Sequence, residues 1–158
     1  MTDEEILQSI KEYFCIQEFV SEKVYKKYGE TAWQFLSLRL LHTILVIRED
    51  LDRSITINNW KWGGKFQQRG LRSNMGYIVF KMIKRMRIYL SGHVLGCAVD
   101  FDVEGMSAVE VRQYLKVIHK KLPYKIRLED KMNGKPISWT HLDTISNKNN
   151  NKIYLFNV

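Results

Sequence analysis

Two short segments rich in metal-binding residue types constrain this chain more than any other feature. The first covers residues 91–100 (SGHVLGCAVD) and the second covers residues 139–143 (WTHLD). Together they supply two imidazoles and one carboxylate, from His93, Asp100 and His141. Three protein ligands that leave one coordination position open for water are typical of catalytic zinc sites, whereas structural sites usually take four. The sequence therefore predicts one Zn²⁺ ion held by these three side chains.

The spacing of the first segment predicts how its two ligands come together. The gap of seven residues between His93 and Asp100 fits a turn followed by a strand. Gly96 allows a tight turn, and Ala98 leaves room beneath the metal. Alternation over residues 97–103 predicts a strand that carries Asp100 into the site while Phe101 packs behind it.

Hydrophobic periodicity and end signals predict an α+β domain. We expect one domain over residues 1–158, with N-terminal helices in 1–50 and a catalytic core in 54–158. Two capping boxes, Thr31-x-x-Gln34 and Ser107-x-x-Glu110, begin two of the predicted helices. The predicted helices cover residues 3–14, 19–28, 32 to about 49, 74 to about 87, and 108 to about 120, and the predicted strands cover residues 54–58, 97–103, 124–129, 137–142 and 152–156.

A hairpin is the strongest prediction in the C-terminal part. Asn133-Gly134 between two alternating segments is typical of a two-residue hairpin turn. Such a hairpin would place Glu129 beside His141 at one end of the sheet. A polar, Asn-rich loop over residues 146–152 follows it. Two further histidines, His42 and His119, lie on predicted helices and are expected outside the site.

The pattern S-x-H-x-x-G-x-A-x-D followed by W-x-H resembles the M15 family of zinc peptidases. That family contains D-Ala-D-Ala carboxypeptidases and L-Ala-D-Glu endopeptidases, which cut the stem peptides of peptidoglycan, and Hedgehog domains share its zinc-binding fold as distant relatives. Residues 18–33, 58–60 and 63–64 and the last strand are similar to M15-type peptidases of phages and prophages. The resemblance implies a small antiparallel sheet that carries the zinc site, with helices packed on it.

The resemblance also implies a catalytic carboxylate. Many M15 enzymes carry it three residues before the last histidine, where this chain has Ser138, which cannot act as a base. One branch instead carries I-R-L-E before W-x-H-x-D, as in residues 126–129 and 139–143 here. The resemblance therefore points to Glu129 as the acid and base. Asp130 and Asp143 are weaker candidates, and Asp143 is alternatively a residue that orients a ligand histidine.

Substrate-binding residues are implied on both sides of the first segment. Arg72 lies in a G-x-R-S element that resembles one in the family, where the arginine contacts the substrate carbonyl or carboxylate. A guanidinium group suits both tasks. Ser91 and Trp139 are expected to bind substrate or wall the pocket. The Gly-rich loop over residues 59–74, with two tryptophans, either lines a binding site or folds under its own aromatic side chains.

Composition and charge limit the kinds of molecule that this chain is expected to bind. The net charge is +8 and the pI about 9.5, which fits either a generally basic solvated surface or affinity for an anionic cell wall. No recognised nucleic-acid motif accompanies the basic residues, so no specific nucleic-acid partner is expected. No apolar run approaches the roughly 20 residues of a membrane span. Two cysteines are too few for a disulfide scaffold, and we expect two free thiols.

These observations predict a zinc metallopeptidase that hydrolyses peptidoglycan stem peptides, as an endolysin-like endopeptidase or a D,D-carboxypeptidase. The N-terminus lacks the pattern of a signal peptide, so we expect synthesis in the cytoplasm and action on the cell wall after release or from a phage virion. The main alternative is a non-catalytic zinc-containing structural or binding module of a phage particle. A third hypothesis, a basic nucleic-acid binder, would show steeply salt-dependent binding.

Overall fold

The structure is a computed structural model, and it describes residues 1–146 and 151–158. Residues 147–150, within the predicted Asn-rich loop, lie outside the described residues. Six α-helices precede or interrupt one five-stranded sheet in the described chain. The helices are α1 (Asp3–Tyr13), α2 (Ile16–Phe19), α3 (Glu22–Tyr28), α4 (Leu38–Leu51), α5 (Tyr77–Lys84) and α6 (Ala108–Val117), with 3-10 helices over Gly29–Phe35 and Trp60–Trp62, and the strands are β1 (Ile55–Thr56), β2 (Ala98–Val103), β3 (Ile126–Met132), β4 (Lys135–Asp143) and β5 (Ile153–Asn157).

The predicted α+β class is confirmed. The strand order is β1-β2-β4-β3-β5, and the first four strands pair antiparallel. The predicted fully antiparallel sheet is wrong at β5, which pairs parallel to β3. The reason is the position of the last connection: β4 ends at Asp143 opposite Arg127, near the start of β3. β5 begins at the same end of the sheet as β3, where Ile153 pairs with Ile126, so the two strands run parallel.

The helices and the inner face of the sheet share one hydrophobic core. α1 contributes Ile6 and Ile10, α4 contributes Leu40 and Ile44, and Phe101 of β2 is fully buried against them. The first helix begins as predicted, since Thr2 and Glu5 form a reciprocal capping box. No helix among residues 1–146 and 151–158 is long and apolar enough to cross a membrane.

The predicted helix over residues 32–49 is wrong at its start. The Thr31 side chain donates to the carbonyl of Tyr28 instead of capping, and residues 29–35 form a 3-10 helix. α4 begins only at Leu38, because the backbone N–H of Ser37 donates to the carbonyl of Gly96 at 2.8 Å. The local capping pattern was outweighed by a contact with a residue far away in the sequence. The predicted helix over residues 19–28 is likewise divided, and Ser21 caps α3.

The predicted helix over residues 74–87 is shorter and more exposed than expected. α5 is fully buried only at Val79, and Met86, at φ 53°, lies beyond its end. Ile83 and Met86 are exposed, although hydrophobic periodicity over residues 74–87 would place both on the buried face of a helix. The predicted first strand over residues 54–58 is reduced to Ile55–Thr56. The helix after Ser107 is confirmed, with its capping box to Glu110.

The predicted hairpin is confirmed and sets the register of the site. Asn133 and Gly134 have φ values of 51° and 75°, as expected for a turn with both central residues in the left-handed region. Glu129 of β3 lies opposite His141 of β4, and Asp100 of β2 lies opposite His141 on its other side. Residues directly opposite each other share a face of the sheet. One row across three strands therefore carries all three side chains.

Gly96 provides a test of how the turn before β2 is fixed. Its φ is +67°, and a Cβ atom there would lie 2.0 Å from the carbonyl oxygen of Phe35. We expect Gly96→Ala to lower the free energy of unfolding by at least about 3 kcal/mol, because conformational strain and a backbone clash add. Equilibrium urea denaturation measures the change. Gly63→Ala is the control, since Gly63 is in the left-handed region at φ +81° with open space around it and should cost about 1 kcal/mol. Equal losses would contradict the clash.

Candidate metal centre

Three side chains from three different segments converge on one point of the sheet. His93 Nε2, Asp100 Oδ1 and His141 Nδ1 are separated by 2.8 Å from His141 to Asp100, 3.3 Å between the histidines, and 3.4 Å from His93 to Asp100. All three residues are buried. The predicted convergence is confirmed, and this His-Asp-His group could hold a metal ion.

The separations fit the size of a zinc ion. In a tetrahedral site with ligands about 2.1 Å from the ion, neighbouring ligand atoms lie about 3.4 Å apart. Two of the three separations match this value closely, and the shorter one is a hydrogen bond between His141 and Asp100. Two nitrogens and one carboxylate oxygen are also ligands that Zn²⁺ accepts. The residues present therefore fit a zinc ion with a position left open.

His93 is oriented by the backbone of a preceding loop. Its Nδ1 donates to the carbonyl of Gly70 at 2.9 Å, which leaves Nε2 facing Asp100 and His141. Gly70 itself packs against backbone, since a Cβ atom there would lie 2.1 Å from the carbonyl oxygen of Phe19. The backbone N–H of Arg72 donates to the carbonyl of His93 at 3.0 Å. The turn that bears His93 is thus tied to the loop at Gly70 and at Arg72.

His141 is oriented by a second carboxylate. Its Nε2 donates to Asp143 Oδ2 at 3.2 Å, and Arg127 donates to both oxygens of Asp143 at 2.7 and 2.9 Å. The edge of the Phe156 ring packs on the imidazole, with centroids 5.8 Å apart. Asp143 therefore orients a candidate ligand histidine, in line with one of the two roles predicted for it. Asp130, the other weak candidate, pairs with Arg112 at 3.4 Å and does not line the cavity.

The charges of the trio are set by burial and mutual hydrogen bonding. Burial raises the pKa of Asp100, but hydrogen bonds from both histidines outweigh it and hold the pKa far below its usual range. Burial lowers the pKa of His141, but hydrogen bonds to Asp100 and Asp143 outweigh it and raise the pKa to about 9. Burial lowers the pKa of His93. Without metal, His141 is thus protonated near neutral pH.

Glu129 lies beside the trio, and one oxygen of its carboxylate has no partner in the described part of the chain. It is only 6% exposed, and its Oε1 atom makes no hydrogen bond among the described residues. Burial raises the pKa of its carboxyl group, partly opposed by the nearby charges of His141 and Arg72. A buried carboxylate without partners is costly, which marks this position as a functional candidate.

A cavity of about 390 Å³ opens over these residues. Glu129 and all three candidate ligands line it, together with Arg72, Ser91 and Trp139. Arg72 donates from Nη2 to Asp100 Oδ2 at 3.1 Å and from Nε to the carbonyl of Gln68 at 2.7 Å. The Ser91 hydroxyl accepts from the backbone N–H of Val94 at 3.4 Å, so this residue also shapes the turn. Ser138 is exposed and does not line the cavity.

Several functional contacts were not predicted from the sequence. The Gly70 carbonyl, Arg127 and Phe156 orient the histidines, although none of them is a ligand. Arg127 had one usable signal, since it stands two residues before Glu129 on a strand and so shares its face. His42 packs against Tyr124 and His119 hydrogen bonds to the Lys116 carbonyl, so both lie outside the site as predicted. Cys15 and Cys97 are free thiols, as expected.

Comparison of the chain with protein-family models, with curated proteins and with solved structures finds no match. The geometry of the site, together with the motifs, therefore carries the functional argument.

Zinc binding should release a proton, because His141 has a pKa of about 9 without metal and Nδ1 has to lose its proton to bind. We expect one ion per chain, about one proton released at about pH 7.5, and affinity that rises with pH towards 9. Isothermal titration calorimetry in buffers of different ionisation enthalpy measures the number of ions bound and the number of protons released, and repeating it at several pH values gives the pH dependence of the affinity. The stability of the metal-free fold should change with pH in the opposite direction to zinc affinity. The contribution of His141 to the free energy of unfolding is complete below its usual pKa of 6.5 and is lost as pH rises through about 9.

The same titration with variants tests the ligand set. His93→Ala should lower zinc affinity at least about 100-fold, since one of three protein ligands is lost. His119→Ala is the control, because His119 lies outside the site. Unchanged zinc affinity in His93→Ala, or zinc binding without proton release, would contradict this assignment.

Proposed function

We propose that the protein is a zinc-dependent peptidase that hydrolyses amide bonds in the stem peptides of peptidoglycan. The observation that carries the proposal is a buried Glu129 carboxylate with a free oxygen, lining the same cavity as a His-Asp-His group fit to hold zinc. The substrate class comes from the motifs in residues 91–100, 126–129 and 139–143, which resemble those of M15 peptidases. His93, Asp100 and His141 would hold the ion.

A bound zinc ion supplies Lewis acidity, which polarises a carbonyl group and makes water more acidic. Glu129 is the proposed acid and base: it takes a proton from the attacking water and returns it to the leaving amine as the C–N bond breaks. A raised pKa suits both halves of this task, because the group has to gain a proton and then lose it. The products are a carboxylate and an amine.

Arg72 is the proposed electrostatic partner of the substrate. Its side chain is only 13% exposed, and it is held by the Gln68 carbonyl and by Asp100 at the edge of the cavity. A guanidinium fixed in this way has further N–H groups that can donate to the carbonyl oxygen of the cleaved bond. Ser91 and Trp139 would contact the flanking peptide from the cavity wall. The expected setting is a phage lysis enzyme or a virion-borne enzyme that acts on the cell wall, which its basic charge suits.

The second candidate is a non-catalytic zinc-containing module of a phage particle. It is favoured by Ser138 at the position where many M15 enzymes carry their catalytic carboxylate. The cavity and Glu129 argue for the enzyme, because a purely structural zinc site is usually closed by a fourth ligand.

Glu129→Gln distinguishes the two candidates. Loss of the carboxylate should lower turnover of purified peptidoglycan by at least about 100-fold while zinc content is unchanged, since Glu129 is not a ligand. Asp130→Asn is the matched control, because it removes the neighbouring carboxylate of the same strand outside the cavity. Release of soluble wall fragments measures turnover. Undiminished turnover in Glu129→Gln would remove this residue from the mechanism, and a zinc-loaded wild type without turnover would favour the binding module.

A further inference from the structure

A second cavity adjoins the candidate metal centre. It has a volume of about 400 Å³, and Arg72 and Asp100 line both cavities. The two spaces therefore meet at the Arg72–Asp100 ion pair, and the other two candidate ligands, His93 and His141, line only the first cavity. Each is within the size range of pockets that bind small molecules or single residues of a peptide.

The second cavity is lined by cations that differ in their partners. Arg69 is already engaged, since it pairs with Asp102 at 2.5 Å and stacks on the Phe66 ring at 3.6 Å. Lys23 and Lys65 are exposed, and neither has an ion-pair partner among the described residues. Lys65 only lies over the Phe66 ring, at 5.6 Å. Two unpaired ammonium groups beside a fixed guanidinium make a site that favours an anion.

We propose that the second cavity is a subsite for a carboxylate-bearing residue of the peptide, on one side of the cleaved bond. A peptide that crosses the metal from one cavity to the other extends on both sides of that bond. The protein is then an endopeptidase for chains that contain an acidic residue, and it does not depend on a free C-terminus. This inference rests on the proposed peptidase activity, and it assigns the substrate feature that Lys23 and Lys65 recognise.

The test uses pairs of synthetic peptides with an amidated C-terminus. The two peptides of a pair differ only in one side chain, which is a free carboxylate in one and a carboxamide in the other. In one set of pairs this residue precedes the cleaved bond, and in a second set it follows the bond. For one placement the zinc-loaded wild type should cleave the carboxylate form with about tenfold higher kcat/KM. The double variant Lys23→Gln/Lys65→Gln should lose this preference by slowing only the carboxylate form. Lys27→Gln/Lys61→Gln is the matched control, with one lysine on the same helix and one on the same loop, both outside the cavity.

The failures of the two proposals are distinguishable. If the wild type cleaves both forms equally, or if the lysine variant slows both equally, the carboxylate subsite is wrong. Cleavage that requires a free C-terminus would also overturn it. If the zinc-loaded wild type cleaves none of these peptides and no peptidoglycan, the peptidase activity itself is wrong.

A different observation concerns the segment of residues 75–90. It exposes more large apolar side chains than a helix packed on a core does, and Met86 and Ile88 are 94% and 93% exposed. Four exposed cations are interleaved with them, and no Asp or Glu occurs between Asp52 and Asp100. The exposed apolar side chains of the segment are Met75, Tyr77, Phe80, Ile83, Met86, Ile88 and Leu90, and the cations are Lys81, Lys84, Arg85 and Arg87.

We infer that residues 75–90 dock on an anionic phospholipid surface. Apolar side chains that enter the acyl boundary and cations that pair with headgroups are the two features of an interfacial segment, and this one has both. Anionic headgroups complement the positive charge of this segment, which contains no acidic residue. Each Lys or Arg held close to the membrane surface contributes to binding. A second copy of the chain would instead bring two like-charged segments together. The occupant that matches both the charge and the apolar surface is therefore a lipid bilayer.

Co-sedimentation with vesicles tests this docking. Full-length protein should bind vesicles of phosphatidylglycerol and phosphatidylcholine at least about tenfold more tightly than pure phosphatidylcholine. Ile83→Ser/Ile88→Ser and Lys84→Gln/Arg87→Gln should each lower binding about tenfold. The matched controls are Val109→Ser/Val117→Ser and Lys116→Gln/Lys120→Gln, which change exposed residues outside the segment. Binding unaffected by the segment variants would overturn the inference, and so would a dimer in solution that Ile83→Ser/Ile88→Ser dissolves without any vesicle binding.

Discussion

The hydrogen bond between Asp100 and His141 is the interaction on which the site depends. The two residues lie opposite each other on neighbouring strands, so the register of β2 against β4 fixes their separation at 2.8 Å. A shift of one residue in that register would turn one of them to the other face of the sheet. The register is held in turn by the packed core face, where Val99 and Phe101 are fully buried. The hydrophobic core thus sets the metal-binding geometry through the alternation of the strand.

Backbone contacts connect the N-terminal helices to the same site. Asn58 is fully buried, and its side chain donates to the carbonyl of Val20 and accepts from the backbone N–H of Arg69. The carbonyl of Arg69 accepts from the backbone N–H of Asp100 at 2.7 Å. A continuous path of hydrogen bonds therefore runs from the end of α2 to a candidate metal ligand. The loop over residues 59–74 both packs on its own side chains and lines a cavity, so its two predicted roles are not exclusive.

The sequence predicted the parts of the site that depend on short patterns. The ligand trio, the hairpin at Asn133-Gly134 and the position of Glu129 follow from residue types, spacing and strand alternation. The parts that failed depend on contacts between distant segments. Ser37 begins α4 because of its bond to Gly96, which the capping pattern at Thr31 does not contain. The parallel pairing of β5 depends on where β4 ends. The orientation of His93 depends on the backbone carbonyl of Gly70, and because every residue type has such a carbonyl, the sequence contains no signal for this contact.

The charges around the trio explain why Glu129 differs from its neighbouring carboxylates. Arg72 donates to Asp100 and Arg127 donates to Asp143, and the protonated His141 lies between these two acids without metal. Hydrogen bonds hold the pKa of both acids below its usual value in spite of their burial. Glu129 has no such donor on its free oxygen, so burial raises its pKa. Carboxyl groups whose environments push their pKa values apart are typical of sites where one binds a cation and another exchanges protons. The hydrogen bonds of the histidines to Asp100, and those of His141 and Arg127 to Asp143, thereby separate the pKa values of these two acids from that of Glu129 on the same face of the sheet.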